Sequence, residues 1–311
     1  MRFLHLFRAA VAAALLPLLV VQPAFGWGHD GHSIINQLAV AALPADVPEF
    51  LRSKSAQDAM AYYAPHPDDW RNEDPQGQLY ATLVPEHDID LEWADLAGPL
   101  PRYRYDYMAG LQAAQAAHPD VKLNAQSVGL LPYSTFEHYE MLKSAMRDYR
   151  RALAAKQDTK AAEAEIVVLA GFLGHFVGDG SQPLHLTYRY NGWVGPNPKG
   201  YTTDNKIHAR FEGDYVHNNI KASDVAPLVE ATKPQVLGDV FEEYVTYLRH
   251  TNSQVEKVYQ LDKQGAFTGA GTPEGKAFTG EQLAAGAIEL RNMIYTAWVK
   301  SAEPLPRYRG N

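Results

Sequence analysis

The sequence contains no cysteine among its 311 residues, so no disulfide bond can stabilise the fold. An exported protein without disulfides must obtain its stability from packing or from bound metal. Positive charge is also scarce, because 36 Asp and Glu residues outnumber 28 Lys and Arg residues and give a net charge of −8. This balance disfavours a general nucleic-acid coat, but it does not exclude an enzyme whose bound cations supply positive charge locally.

Three further absences limit the class of protein. The chain has no G-x-x-x-x-G-K-[ST] phosphate-binding loop and no convincing series of segments with the alternating apolar and polar residues of β-strands. After residue 26, no apolar run is expected to approach the length of a membrane span. Together these absences favour a soluble protein of the mainly α class.

The first 26 residues have the pattern of a signal peptide. Two arginines form a short basic start, an apolar run follows over residues 9–21, and small residues occupy the positions that a signal peptidase reads. We expect cleavage after Gly26, which makes Trp27 the first residue of a secreted or periplasmic protein; an uncleaved anchor is the alternative. Residues 27–311 are expected to form one large domain, with a split into two as the alternative that their length also allows. The protein is expected to be monomeric and to have no stable protein partner.

Apolar residues recur at helical spacing over much of the remaining chain. Helices are expected over about residues 33–39, 134–153, 161–179, 205–216, 226–261 and 280–301. Ordered loops, the first with short helical turns, are expected over residues 61–100, 186–204 and 265–281. The expected fold is a mainly α, multi-helix domain with long ordered loops around its functional site.

The segment LGHFVGDGSQPLH, residues 173–185, concentrates the residue types of a metal site. His175 and Asp179 are four residues apart, so on a helix they share one face and can reach one metal ion. The expected helix breaks at residues 180–183, and His185 follows. Imidazole and carboxylate are ligands that zinc accepts at neutral pH. A buried His–Asp hydrogen bond that closes a core helix explains this segment alone equally well.

Other parts of the chain supply further ligand types in a specific order. The five pieces WGHDGH, PDDWR, EHDID, HFVGDGSQPLH and KIHARFE follow one another between residues 27 and 212. In this order and spacing the chain resembles the single-strand-specific zinc nuclease family, the S1/P1 nucleases, which is related to the bacterial zinc-dependent phospholipases C. The resemblance covers most of the chain after residue 26.

The resemblance implies a site with three zinc ions. One ion would be held by the freed amino group and the carbonyl of Trp27 together with His32 and Asp179. A second would be held by Asp68, His87, His175 and again Asp179, which would bridge the pair. The third would be held by His185, His208 and Glu212.

The resemblance also implies the roles of two residues in phosphodiester hydrolysis. A hydroxide between the two zinc ions that share Asp179 would attack phosphorus, and the third ion would stabilise the departing oxygen. Asp68 would orient the attacking water in addition to its ligand role. Arg71 matches the basic position that contacts the phosphate; a surface ion pair with Asp69 or Glu73 is the alternative.

Departures from the family pattern leave the substrate open. Glu212 stands where the nucleases usually have Asp followed by Asn, whereas the phospholipases have Glu; the gap between Trp27 and His32 is of the nuclease length. The first hypothesis is hydrolysis of single-stranded DNA and RNA, and of 3′-nucleotides. The second is phospholipase C activity on lipid headgroups, and the third is a metal-binding protein without turnover.

The surroundings of the site distinguish the first two hypotheses. An open cleft with paired aromatic side chains is expected of a nuclease, whereas an exposed apolar rim is expected of a phospholipase. Several aromatic residues are candidates either for base stacking or for ordinary packing: Tyr62, Tyr63, Trp70, Tyr188, Tyr190 and Trp193.

Overall fold

The computed structural model describes residues 27–305, and helices make up most of this range. The predicted signal peptide lies outside the described residues. The α-helices are, in chain order, α1 (Gly28–Ala41), α2 (Glu49–Arg52), α3 (Lys54–Tyr63), α4 (His66–Glu73), α5 (Gln78–Leu83), α6 (Leu91–Ala94), α7 (Arg104–Ala114), α8 (Ala125–Val128), α9 (Leu131–Ala154), α10 (Lys160–Ser181), α11 (Ile207–Ala209), α12 (Val216–Asn219), α13 (Ala222–Glu230), α14 (Val240–Asn252), α15 (Val255–Lys263) and α16 (Pro273–Lys300).

Shorter elements connect these helices. Four 3₁₀ turns occupy Val84–Glu86, Asp95–Ala97, Gln115–Ala117 and Pro183–Leu186, and a π-helix, Arg210–Tyr215, joins α11 to α12. Within residues 27–305 no strand is present; a single antiparallel bridge pairs Ile89 with Gly129. The prediction of a mainly α fold is therefore confirmed.

Helix α10 lies at the centre of the fold, where it packs against α1, α3, α9 and α16. By length and composition it could cross a membrane, with a mean hydropathy of 1.5. The expectation that no such run follows residue 26 is thus wrong. Half of this apolar stretch is buried within the protein, and its last turns carry the buried polar side chains of His175 and Asp179. These are the properties of a core helix of a globular protein.

Two expected loops contain more helix than the sequence pattern indicated. Residues 61–100 include the end of α3 and the helices α4, α5 and α6. In the expected loop over residues 265–281, α16 begins at Pro273, because the Thr272 side chain accepts a hydrogen bond from Gly275 N at 3.1 Å and proline suits the first turn.

The expected helices were placed well but their ends were not. Helices α9 and α10 confirm the helices predicted over residues 134–153 and 161–179. The helical region predicted over about residues 226–261 consists of parts of α13, α14 and α15, with an interruption that contains Pro234 and Gly238. Helix α10 continues through Gly180 to Ser181, so the predicted break begins two residues later, at Gln182.

Candidate metal centre

The predicted ligands come together in three groups around the end of α10. Each group has ligand atoms within 4.8 Å of one another, and every member is buried. The groups are His32, His175 and Asp179; Asp68, His87 and His175; and His185, His208 and Glu212. The structure therefore brings together side chains that are up to 180 residues apart in the sequence.

Glycines on α10 allow α1 to approach closely enough to form the first group. A Cβ atom on Gly174 would collide with the amide of Asn36, and one on Gly178 would lie 2.8 Å from Nδ1 of His32. The His32 and His175 rings stack with their centroids 4.1 Å apart. The small residues are thus the reason that a histidine of α1 can reach the ligands of α10.

We predict that Gly178→Ala displaces the His32 ring and weakens metal binding. Overpacking of a filled site costs about 1–3 kcal/mol, so the variant should be less stable by this amount when metal is bound. Gly110→Ala on α7 is the matched control, since its Cβ would meet nothing within 4 Å; it should stabilise the protein by about 0.5–1 kcal/mol. Denaturant unfolding with and without zinc measures both effects, and equal zinc affinity in the two variants would contradict the prediction.

Asp179 joins the first two groups. Its Oδ1 lies 3.4 Å from Nε2 of His32, and its Oδ2 lies 3.0 Å from Nδ1 of His87 and 3.3 Å from Nε2 of His175. Asp68 Oδ1 lies 3.6 Å from Nδ1 of His87. One carboxylate thus faces three imidazoles, which suits it to a position between two cations.

The third group is built on a break in regular helix. His208 lies on α11 and Glu212 in the π-helix, with Nε2 of His208 2.6 Å from Oε2 of Glu212. Nε2 of His185 lies 3.5 Å from the same oxygen. π-Helical turns often occur at functional sites, where they change the direction in which side chains point. The single α-helix predicted over residues 205–216 did not include this turn.

Backbone carbonyls fix the orientation of two rings. Nδ1 of His175 donates to the carbonyl of Ala64 at 2.7 Å, and Nδ1 of His185 donates to the carbonyl of His87 at 2.7 Å. Since a carbonyl can only accept, each bond places the ring proton on Nδ1 and leaves Nε2 as a lone pair that faces the cluster. Outer hydrogen bonds of this kind orient metal-ligating histidines.

Burial keeps the histidines neutral and opposes ionisation of the carboxyl groups. Desolvation lowers the pKa of His32 to about 4 and that of His208 to about 3. It raises the pKa of Glu212 to about 8 and holds the pKa of Asp179 well above its ordinary value. Neutral imidazoles are ready to bind a cation, and a cation would make the ionised carboxylates favourable.

The cluster contains more buried polar atoms than its own hydrogen bonds satisfy. In the described part of the chain, buried atoms without a hydrogen-bond partner include Nδ1 and Nε2 of His32, Oδ2 of Asp68, Nε2 of His87, Oδ1 of Asp179, Nε2 of His185 and Oε1 of Glu212. A buried polar group without a partner costs about 1–3 kcal/mol, so several in one place require an explanation. Nitrogen and carboxylate oxygen donors are the set that zinc prefers, and the residues therefore fit a metal cluster.

A cleft of about 230 Å³ opens onto the cluster. Arg71 lines it, is 7% exposed, and contacts Oδ1 of Asp68 at 2.6 Å. Arg71 is therefore a buried residue of the cleft wall, and its contact with phosphate stays a prediction. Of the aromatic residues proposed for base stacking, Tyr190 lines the cleft, and so does Tyr80, which the sequence analysis did not select.

Trp27 begins the described chain and is completely buried. Its indole Nε1 donates to Oγ of Ser181 at 2.6 Å, and its ring meets that of Phe211 edge-on at 5.3 Å. The side chain therefore fixes the start of α1 to the end of α10. Its main-chain ligand role stays a prediction.

The sequence analysis missed three polar residues of the site. Gln182 donates from Nε2 to Oε2 of Glu212 at 2.8 Å, and its Oε1 accepts from Leu184 N at 2.6 Å. Asp88 and Asp90 line the cleft. Burial raises the pKa of Asp88 to about 7 and that of Asp90 to about 9. Asp88 and Asp90 lie in the EHDID segment and Gln182 lies in HFVGDGSQPLH, but the family resemblance assigns roles only to the metal ligands of these segments.

Comparison with known proteins gives a family match and weak structural likenesses, two of which are to bacterial alpha-toxins. The alpha-toxin of an avian strain of Clostridium perfringens is 12% identical, with a TM-score of 0.40 over 89% of this chain and 64% of the toxin. The alpha-toxin of Clostridium absonum is 14% identical, with a TM-score of 0.42 over 90% of this chain and 67% of the toxin. This chain thus spans about two thirds of the length of either toxin.

No curated protein sequence is significantly similar to this chain. The sequence model described as S1/P1 Nuclease matches residues 27–266, which is most of the chain. The match begins at Trp27 and includes the segments of all three ligand groups. On this evidence the chain belongs to the S1/P1 nuclease family.

Proposed function

We propose that the protein is a phosphodiester hydrolase that works with three zinc ions. The observation that supports this most directly is the convergence of buried ligand atoms without hydrogen-bond partners at the end of α10. The ligands are those that the sequence predicted: the main chain of Trp27 with His32, Asp68, His87, His175, Asp179, His185, His208 and Glu212. Family membership supports phosphodiester bonds as the target.

The chain's own residues bind and orient the phosphodiester. Bound zinc ions polarise phosphoryl oxygens and lower the pKa of water. Arg71 lines the cleft and contacts Asp68, and its planar guanidinium would bind a non-bridging oxygen of the phosphodiester. Asp68, which lies beside Arg71 and His87, would orient the attacking water in addition to its ligand role. Gln182 holds Glu212 in place through the hydrogen bond to Oε2.

Single-stranded DNA and RNA, with 3′-nucleotides, are the first candidate substrates. Family membership supports them, and the rings of Tyr80 and Tyr190 line the cleft where a base would stack. The second candidate is the headgroup phosphate of a phospholipid, and the rim of the cleft favours it. Helix α5 has no buried residue, and Leu79 and Tyr80 are 52% and 38% exposed. An apolar helix at a cleft mouth is a feature of proteins that act at lipid surfaces.

A side-by-side assay tests the proposed function. The zinc-loaded protein that begins at Trp27 is given single-stranded DNA, phosphatidylcholine, phosphatidylethanolamine and a p-nitrophenyl phosphodiester, each with chelator and with zinc added back. Hydrolysis of at least one, abolished by chelator and restored by zinc, is the expected result. No hydrolysis of any of the four would make a metal-binding protein without turnover the better account.

We predict that a form retaining residues before Trp27 binds less zinc than the mature form. A peptide nitrogen is a poor metal ligand, whereas a free amino group donates a lone pair, so cleavage after Gly26 would complete the first zinc site. Metal analysis and rates for the two forms, purified in parallel, measure this. Equal zinc content and equal rates would refute the amino-terminal ligand. A secreted or periplasmic, monomeric protein is the corresponding proposal for location and assembly.

A further inference from the structure

The side chain of Trp27 is completely enclosed, although cleavage after Gly26 would make it the first residue of the mature chain. It is the largest fully buried side chain among the described residues. First residues are usually poorly ordered unless the fold ties them down. Here the indole Nε1 donates to Oγ of Ser181 at 2.6 Å, and the ring meets that of Phe211 edge-on. The fold therefore holds the start of the chain through a side chain.

The Ser181 hydroxyl is arranged to accept a hydrogen bond from the indole. Its Oγ lies 2.8 Å from the carbonyl oxygen of Gly178, which can only accept, so the serine proton points to that carbonyl. The lone pairs of Oγ are then free for the indole, which can only donate. Tyr247 of α14 also forms a hydrogen bond with the Ser181 side chain. The site thus suits an aromatic side chain that carries an N–H group.

Close packing leaves the indole a single position. A Cβ atom on Gly31 would lie 2.6 Å from Cβ of Trp27, and one on Gly286 would lie 2.9 Å from Oγ of Ser181. Gly28, directly after Trp27, has a φ of +61°, a conformation that glycine adopts readily. The main chain at the start of α1 is therefore fixed relative to α10 once the indole is in place.

The indole is anchored to the turn that carries a predicted zinc ligand. Asp179 lies between Gly178 and Ser181 on α10, and Gly178 is the residue whose lack of a side chain leaves room for His32. The amino group that would join Asp179 and His32 in the first zinc site is that of Trp27. A side chain tied to this turn therefore limits where that amino group can lie relative to the other ligands.

We propose that Ser181 is a positioning residue for the first zinc site: by holding the indole of Trp27, it places the new amino group where it can bind the ion together with His32 and Asp179. This inference rests on the proposed three-zinc function and on cleavage after Gly26. A mobile amine would have to be ordered each time the ion binds, and that loss of conformational entropy weakens binding. The hydrogen bond to Ser181 orders the chain before the metal arrives.

Four proteins that begin at position 27 test the inference: the unmodified protein, Ser181→Ala, Trp27→Phe and the double variant. Ser181→Ala removes the acceptor, and Trp27→Phe keeps an aromatic ring without the N–H group. Zinc titration by calorimetry should show one site weakened by about tenfold or more in each single variant, the size expected for residues that orient metal ligands. Because both changes break the same bond, the double variant should lose little more than either single one.

Ser301→Ala is the matched control. Ser301 follows α16 directly, is 2% exposed, donates to the carbonyl of Trp298 at 2.6 Å and accepts from Nε of Arg150 at 2.8 Å. Its hydroxyl thus has the same kind of partners as that of Ser181, namely a carbonyl three residues earlier and an N–H group of another helix. Neither partner is a predicted zinc ligand, so this variant should keep the zinc affinity of the unmodified protein.

Acylation of the amino group of residue 27 gives a readout that a merely structural role would not change. Near neutral pH an α-amino group reacts before the lysine side chains because its pKa is lower, and mass spectrometry of the first peptide measures the extent. Zinc should protect this amine in the unmodified protein and in Ser301→Ala. At the same free zinc concentration, protection should be weaker in Ser181→Ala and in Trp27→Phe.

Equal zinc affinity and equal protection in Ser181→Ala and the unmodified protein would overturn the inference, even if the chelated variant were less stable. Fully additive losses in the double variant would also overturn it. An unmodified protein whose amine is not protected by zinc would refute the amino-terminal ligand along with the role of Ser181. Hydrolysis of the p-nitrophenyl phosphodiester by the unmodified protein tests the proposed function separately.

Discussion

Replacement of Asp179 by alanine is expected to abolish hydrolysis, with a loss of well over about a hundredfold. Loss of residues that merely support metal ligands already costs about 10–100-fold in activity or metal affinity, and Asp179 faces His32, His87 and His175 directly. The variant should bind fewer zinc ions, because the first group loses its carboxylate and the second loses the carboxylate that faces His87 and His175. Metal analysis on dialysed protein checks this directly, and an unchanged zinc content would contradict the assignment of Asp179 as a zinc ligand.

The conservative variant Asp179→Asn separates the metal role from the packing role. Burial raises the pKa of Asp179 well above its ordinary 3.8, so the folded protein holds this proton more tightly than the unfolded chain does. The stability that this group gives the metal-free protein is therefore present at low pH and falls as the pH rises. At pH 8 we expect Asp179→Asn to stabilise the metal-free protein and to destabilise the zinc-loaded one. A change of the same sign in both forms would show that Asp179 acts mainly through packing.

The sequence could indicate two pairs of candidate ligands from local spacing, whereas the other candidates came from the resemblance to the S1/P1 nucleases. The four-residue separations of His175 from Asp179 and of His208 from Glu212 are properties of one turn of helix. The sequence could not show that the second pair spans the junction of α11 and a π-helix, since i→i+5 bonding leaves no pattern of apolar residues. The sequence also could not show that α1 packs against α10. Gly174 and Gly178 allow this close approach, but their effect depends on Asn36 and His32 of α1, which are distant in sequence.

The residues that form the walls of the cleft were the hardest part of the site to predict from the sequence. Asp88 and Asp90 alternate with His87 and Ile89 in a short irregular segment. In sequence, acidic residues of such a segment are equally typical of an exposed loop. Their burial depends on Val128, Gly129 and Leu131, which are about 40 residues away and have no spacing relation to them. Tertiary contacts of this kind also explain why α5 was expected to be loop: its helical turn is supported mainly by α4 and the adjoining 3₁₀ turn.

Removal of zinc should lower the midpoint of thermal unfolding by roughly 10 °C at neutral pH. Free metal at about a thousand times its dissociation constant stabilises a folded protein by about 4 kcal/mol for one site, and one kcal/mol corresponds to about 2–4 °C for a protein of this size class. A chelator scan followed by zinc addition measures the difference. A midpoint insensitive to chelator would mean that packing alone stabilises the buried cluster.

The stabilisation by zinc should also grow between pH 6.5 and pH 8. In the metal-free protein Glu212 keeps its proton up to a pKa of about 8, whereas in the unfolded chain it is ionised above about 4.5. The metal-free protein therefore loses stability over this range, and zinc, which displaces the proton, reverses the loss. His32 and His208, with pKa values of about 4 and about 3, destabilise the metal-free protein only below about 6.5, so they do not contribute there.

Each displaced proton contributes about 1.4 kcal/mol per pH unit, or a few degrees in the midpoint difference between zinc-loaded and metal-free protein. Unfolding scans at pH 6.5, 7.2 and 8.0 with buffered free zinc measure the slope. Glu212→Gln keeps the size of the side chain but has no carboxyl proton to release. The midpoint difference should therefore change less with pH in this variant. A midpoint difference that stays constant or shrinks with rising pH in the unmodified protein would show that Glu212 is not displaced by metal.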